Sequence, residues 1–318
     1  MDEFALIDRF FANRQVDRAD VKLGIGDDAA VTSVDADYDL VIATDSIVEG
    51  THFPAGTAPR SLGHRCLAVN LSDLAAMGSE PLWCTLALSL PSAEPEWLEA
   101  FADGFFELAE RFDVALLGGD TVTGPMAMTV TVHGRMRAGK YVGRSGAGPG
   151  QGIYITGRSG EAGAGLQILT GLPVDDVESG DRLIGRFLYP NPRVEEGQTI
   201  ARIATAMIDI SDGLHDDILK LLRASQLGAD LDASKLPLSP DLLACFSPQN
   251  ALDLALTGGD DYELCFTVPP ENEAGIEQLI ASSDCPITRI GETRSQLDVR
   301  WMHDGQPYTV PENSFRHF

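Results

Sequence analysis

Residues 138–152 read AGKYVGRSGAGPGQG, six glycines and one proline in fifteen positions. Glycine costs entropy inside a helix or strand and proline removes a backbone donor, so no regular element is expected to run through this stretch. It divides the 318 residues into a first domain, 1–137, a glycine-rich linker, 138–150, and a second domain, 151–318. Two domains also suit a chain of this length, at about 150 residues per domain.

Before the linker, residues 3–12 have the spacing of a short amphipathic helix, and 29–34 and 39–44 read as strands. Pro59 to Met77 is helical in pattern, Leu82 to Leu90 is short enough for a buried strand, and Glu94 to Asp113 is the clearest helix. There Pro95 stands near the start, and Leu98, Phe101, Phe105, Leu108 and Phe112 recur every three or four residues. Val114–Leu117 and Met126–His133 follow as strands. After the linker come the strand IYIT, a helix near 163–170, and a basic, Pro-rich connection from Arg186 to Arg193. The strand AMIDI and a helix from about Gly213 to Ala224 complete the readable part. Strands and helices alternate without a βαβ rhythm, so the expected class is α+β.

The charge is strongly acidic: 23 Lys and Arg against 48 Asp and Glu, a net of −25. That argues against nucleic acid, which needs a basic face, and against an anionic membrane surface. No apolar stretch approaches the roughly 18 residues of a membrane span. The first ten residues, MDEFALIDRF, carry acids where a secretory signal carries bases. Five scattered cysteines with no C-x-x-C pair suggest free thiols in a reducing cytoplasm.

Acidic residues recur at the ends of apolar runs beside Gly, Ser or Thr: Gly26-Asp27-Asp28, Thr44-Asp45-Ser46, Asn70 to Asp73, Gly118-Gly119-Asp120-Thr121, Asp209 to Gly213, and Gly258-Gly259-Asp260-Asp261. Each alone is an ordinary turn or cap, and Ser211 or Asp212 could simply cap the helix that follows. Six together, in both halves, point to carboxylates on a sheet rim that need cations between them. Oxygen donors without thiol or imidazole favour Mg²⁺ or Mn²⁺, and Mg²⁺ usually brings a phosphorylated guest. Rival motifs fail. Residues 134–140, GRMRAGK, start like a P-loop, but Tyr141 replaces the Ser or Thr and no helix follows. Asp35, Asp37 and Asp39 begin like an EF-hand, but Leu40 and Ser46 stand at the glycine and glutamate positions, leaving a surface hairpin.

The strings LGIGDDAA (23–30), ATDSIVEGTHF (43–53), AVNLSDLAAMGSEPLW (68–83), LLGGDT (116–121), RSGAGPGQGIYITG (144–157), IDISDGL (208–214) and LTGGDDYELCF (256–266) resemble thiamine-monophosphate kinase in order and spacing. The wider superfamily is that of aminoimidazole-ribonucleotide synthetase. The resemblance implies an N-terminal α/β domain that binds ATP and Mg²⁺ and dimerises, a C-terminal α+β domain, and a homodimer. It implies transfer of the ATP γ-phosphoryl group to thiamine monophosphate, directly and in line, with several Mg²⁺ and with neither a covalent nucleophile nor a general base. Carried over by motif, Asp28, Thr44, Asp45, Asp73, Asp120, Asp209 and Asp212 would ligate Mg²⁺. Gly119, Asp120, Arg144 and Ser211 would contact ATP. His52, Asp260 and a terminal aromatic, Phe318 or Phe315, would contact thiamine monophosphate. One departure stands out: the family string has Glu where this chain has Asp260, one methylene shorter, with Asp261 and Glu263 as alternative carboxylates beside it.

Overall fold

Strand Glu80–Leu90 is buried at alternating and often consecutive positions, Leu82, Trp83, Cys84, Leu86, Leu88 and Leu90, as an interior strand must be. The computed structural model, which describes residues 3–14, 16–25, 29–282 and 284–312, seats it second from one edge of a four-stranded sheet. The order is Tyr38–Val48, Ala127–Arg137, Glu80–Leu90, Ala115–Thr123. The last pair is parallel and the others antiparallel. A parallel pair needs a crossover, and helix Pro95–Arg111 supplies it, with Pro95 at its first turn and Leu98, Phe101, Phe105 and Leu108 buried. Asp113, at φ +54°, turns the chain out of that helix into the next strand. Ala127–Arg137 alternates between buried Met128, Val130 and Val132 and half-exposed Thr129, Thr131 and His133, so one sheet face carries a core and the other stays more open. Part of that second face is covered near Trp83, Ala115 and Leu117, where Val16, Val21, Ala30 and Val34 pack.

The chain divides into two compact units, the first Met1–Leu74 with Ser79–Lys140, the second Ala75–Gly78 with Tyr141–Phe318. The second unit holds a seven-stranded sheet. Its order is Gln306–Tyr308, Val299–His303, Gly228–Asp232, Ile287–Arg294, Gly152–Thr156, Leu264–Val268, Ala206–Asp209. One pair in it is parallel, Val299–His303 with Gly228–Asp232. Helix Leu214–Ser225 lays Leu214, Ile218, Leu221 and Leu222 on a core that includes Ile153, Ile155, Ile208 and Trp301. The α+β class holds in both units.

Three local expectations change. The Arg186–Arg193 connection begins inside a helix, Val177–Leu188, which Asp176 caps by accepting from the Ser179 amide. The Asp35–Asp39 stretch is not a hairpin, because Val31–Thr32 pairs with Val21–Leu23 and not with Tyr38–Val48. Instead Asp39 accepts from the Gly139 amide at 2.8 Å and Asp37 O from the Ala138 amide at 3.0 Å. From Tyr141 onward the glycine-rich segment packs with the second unit: the Met207 amide donates to Gly143 O and the Gly150 amide to Thr293 O. Among the described residues no helix is long and apolar enough to cross a membrane.

Candidate functional site

In the first unit, Asp45 lies on strand Tyr38–Val48, and its amide donates to Asn70 Oδ1 at 2.8 Å. Asn70 is fully buried on helix Pro59–Ala76 and is itself fixed by its Nδ2 donating to Cys66 O at 2.9 Å. Asp73 follows three residues later, so it shares Asn70's helix face and is carried to the Asp45 side of the sheet. Thr44 points the other way, onto the open face, where its hydroxyl donates to Thr131 Oγ1 at 2.9 Å. His52 sits just past the end of the same strand. Its Nδ1 accepts from the Val48 amide at 3.0 Å, which leaves its ring proton on Nε2.

Asp120 belongs to Ala115–Thr123, the opposite edge strand. The register sets it level with Ala87, Thr129 and Ser46, whereas Asp45 is level with Val130, Leu86 and Gly119. The two acids therefore face opposite sides of the sheet and stand three strand spacings apart, about 14 Å. A Mg²⁺–oxygen bond is about 2.1 Å, so no single ion joins them within one chain. Gly119 is required by close approach: a Cβ there would come 1.7 Å from Leu86 O.

In the second unit two loops leave adjacent strands and run on side by side. Past strand Ala206–Asp209, the Ile210 amide donates to Glu263 O, and the Tyr262 and Asp260 amides donate to Ile210 O and Ser211 O, each at 2.8–2.9 Å. Ser211 and Asp260 are thus brought together. A Cβ on Gly259 would meet Ser211 O at 2.5 Å, so this approach also needs glycine. Asp209 is buried at the strand end. Neither Ser211 nor Asp212 caps helix Leu214–Ser225; the cap position is Gly213, without a side-chain bond. Instead Asp217, 1% exposed, accepts from the Ser211, Asp212 and Gly213 amides through one oxygen at 3.0, 3.0 and 3.2 Å. These amides are turned inward, onto Asp217. Lys220 donates to Asp212 at 2.5 Å and to Asp217 at 2.7 Å. Burial pushes the Asp217 carboxyl up, while the Lys220 bond pulls it back. Burial works against the Lys220 charge too, but its two carboxylate bonds outweigh it and leave its pKa above the usual value.

The three acids of residues 260–263 have separate tasks. Asp261 accepts from the Gly160 and Ala162 amides at 2.6 and 3.1 Å, at the start of helix Glu161–Leu169. Burial raises its pKa well above the usual range despite those bonds. Glu263 is buried, takes both arms of Arg193, and accepts from Thr156 Oγ1 at 2.6 Å. Asp260 is half-exposed, with Tyr262 Oη donating to it at 3.1 Å. Its φ of +68° lies in the left-handed region, which Asp tolerates better than Glu.

Arg144 is exposed, and its carbonyl accepts from Ser225 Oγ at the last turn of helix Leu214–Ser225. That is about 17 Å of helix away from the Ser211 loop, so the second unit does not bring the two together. Asp28, Phe315 and Phe318 lie outside the described residues. Sequence reasoning passed over Asp217 and Lys220; their signal was an acid and a lysine three apart in the first turns after Ser-Asp-Gly.

Among the described residues no three His, Cys, Asp or Glu side chains come together as a metal-ligand group. The oxygen donors present are single carboxylates and hydroxyls. Such a set suits Mg²⁺, which keeps waters and takes one or two carboxylates plus substrate phosphate.

The sequence matches the family models "AIR synthase related protein, N-terminal domain" over residues 26–136 and "AIR synthase related protein, C-terminal domain" over 148–302. It is 44% identical to the thiamine-monophosphate kinase of Escherichia coli (strain K12) over 318 residues, 99% of this chain and 98% of that protein. The crystal structure of thiamine-monophosphate kinase from Stenotrophomonas maltophilia K279a superposes with a TM-score of 0.88 at 42% identity, covering 97% of this chain and 98% of that one. AaThiL complexed with AMPPCP and TMP superposes with a TM-score of 0.79 at 30% identity, covering 99% and 97%.

Proposed function

The chain belongs to the thiamine-monophosphate kinase family, and on that premise we propose that it phosphorylates thiamine monophosphate with ATP, in line and directly, with Mg²⁺ bound at its acidic loops. The enzyme class, a phosphotransferase with a phosphate acceptor, comes with the family. Both substrates are supported by the relative that holds AMPPCP and TMP. The structural observation that carries the reading is the pairing of the Ser211 and Asp260 amide–carbonyl groups, which ties a loop assigned to nucleotide to one assigned to the acceptor.

Thiamine monophosphate carries a phosphate whose second pKa is about 6, so it is already a dianionic nucleophile at pH 7 and needs no general base. When bound, Mg²⁺ neutralises both polyanions and lines up the reacting oxygens. Asp45 and Asp73 would hold Mg²⁺ on one side of the first unit's sheet, the hydroxyl of Thr44 and Asp120 would each serve a separate ion on the other, and Asp209 and Asp212 would hold it in the second. Asp28 is proposed with them on its motif alone. His52 presents an Nε2 proton to the substrate, and Asp260 presents a carboxylate suited to the cationic thiazolium; Phe318 and Arg144 are retained as contacts by motif. A phosphoenzyme on the buried cysteines is disfavoured because burial pushes the Cys66, Cys84 and Cys265 thiols well up and Cys285 up to about 11.

We also infer a homodimer built on the first unit's open sheet face, where Leu40, Ile42 and Val122 are 46%, 57% and 50% exposed around Thr44, Ser46 and Asp120. A second copy there would cover this apolar surface. Five free cysteines agree with work in a reducing cytoplasm. The test is incubation of the purified protein with ATP, Mg²⁺ and thiamine monophosphate. Thiamine diphosphate formed in proportion to enzyme supports the reading, and ATP consumption without it sinks it.

A further inference from the structure

Lys220 stands three residues after Asp217 and eight after Asp212, and its ammonium touches both. The two carboxylates differ in how much they need it. Asp217 is 1% exposed and already accepts three loop amides, so it stays satisfied in part without lysine. The Asp212 side chain is 40% exposed and opens to solvent with the lysine as its counter-charge. An ion pair exposed to that degree is held weakly, and a divalent cation with phosphate oxygens in its shell outcompetes one ammonium for a carboxylate.

We propose that Lys220 is a positioning residue that acts as the resident counter-cation of Asp212: it keeps the carboxylate aimed and neutralised until a divalent cation takes it, and then retreats onto Asp217. This rests on the reading of Asp212 as a cation ligand. The loop itself does not have to move, because its three amides remain on Asp217 throughout. Two consequences follow for the reaction. With Lys220 in place, Asp212 does not repel an arriving polyphosphate. The cation alone must displace an ammonium, so it binds this loop weakly until nucleotide phosphates add their own ligands. Cation and nucleotide binding at the second unit thereby become coupled.

Mn²⁺ broadening of the Ser211, Asp212 and Gly213 amide signals, in the full chain without nucleotide, reads cation binding at this loop. In Lys220→Gln the half-broadening Mn²⁺ concentration should fall about three- to fivefold, the scale of an exposed ion pair. In Lys220→Arg, which keeps the charge, it should stay level or rise. In Asp212→Asn the local broadening should be lost. Unchanged or weaker binding in Lys220→Gln, or tighter binding in Lys220→Arg, overturns the role of Lys220. Broadening in Asp212→Asn equal to wild type overturns instead the assignment of Asp212. The Arg variant keeps both carboxylates paired, so it decides the matter even where Lys220→Gln disturbs the loop.

Discussion

Two Gly-Gly-Asp strings, 118–120 and 258–260, are nearly the same in letters and differ in what surrounds them. The first is part of an edge strand. Its glycine lets Leu86 O approach, and Asp120 stands exposed, with one carboxylate oxygen accepting from the neighbouring Thr121 amide. The second is a braced turn. Its glycine lets Ser211 O approach, its aspartate is held left-handed, and the next acids are spent on a helix start and on Arg193. An acid's availability is therefore set by its neighbours' commitments. The first unit offers carboxylates to solvent, while the second surrounds its own with amides and cations.

The largest effect expected from this contrast is on turnover in the first unit. Asp45→Asn and Asp73→Asn should each lower kcat by about a hundredfold or more, the scale of losing one electrostatic stabiliser, while thermal midpoints stay near wild type. Near-normal activity in either variant removes that residue from the metal shell. Next comes a loss of stability in the second unit. Asp217→Ala strips the acceptor from three amides and a partner from Lys220, and should cost about 2–4 kcal/mol in denaturant unfolding. A cost under about 0.5 kcal/mol would show that the loop is braced elsewhere.

Smaller and more selective is the effect of Asp260→Ala. The thiamine rings are remote from the reacting oxygens, so KM for thiamine monophosphate should rise about tenfold with KM for ATP almost unchanged. Asp260→Glu should keep that KM but cost some stability, because the longer residue is less at ease at φ +68°. Equal KM values for Asp260→Ala and wild type would remove Asp260 from the substrate site.

The smallest effect is on pH dependence. Burial holds His215 below the usual imidazole value, the nearby Asp216 charge opposing, and its Nδ1 accepts from Trp301 Nε1 at 3.0 Å. The unfolded chain takes up that proton first, so stability is full above about pH 6.5 and falls as pH drops below it. Burial lowers His133 in the first unit as well, so both units contribute. His215→Gln should flatten part of this slope in thermal unfolding between pH 7.5 and 5.5; an unaltered slope would assign it to other groups.

Periodicity made the larger elements legible. Helix Pro95–Arg111 and strand Glu80–Leu90 fall within a residue or two of their patterns, because a single buried stripe or run dictates each. Helices Pro240–Cys245 and Pro248–Thr257 were missed although Ser239 and Ser247 cap them ahead of a proline. They are too short for a stripe to stand out. At the candidate site, residue type and motif nominate Asp45, Asp73, Ser211 and Asp260. Sheet register, which separates Asp45 from Asp120, depends on pairing between distant segments and leaves no local trace. The same holds for Asp217, whose spacing resembles any helix start until the loop amides are seen to converge on it.

The glycine-rich segment has a role beyond joining the units. Ala206–Asp209 ends the seven-stranded sheet, and a terminal strand presents unpaired amides and carbonyls to solvent, a template on which other molecules can add strands. Gly143 occupies part of that rim through the Met207 amide, while Gly150 and Gln151 are held to Thr293 farther along. A segment rich in glycine and carrying Pro149 does not form a regular strand there. Replacing it with a long flexible spacer should uncover the Met207 amide and raise self-association, read by light scattering.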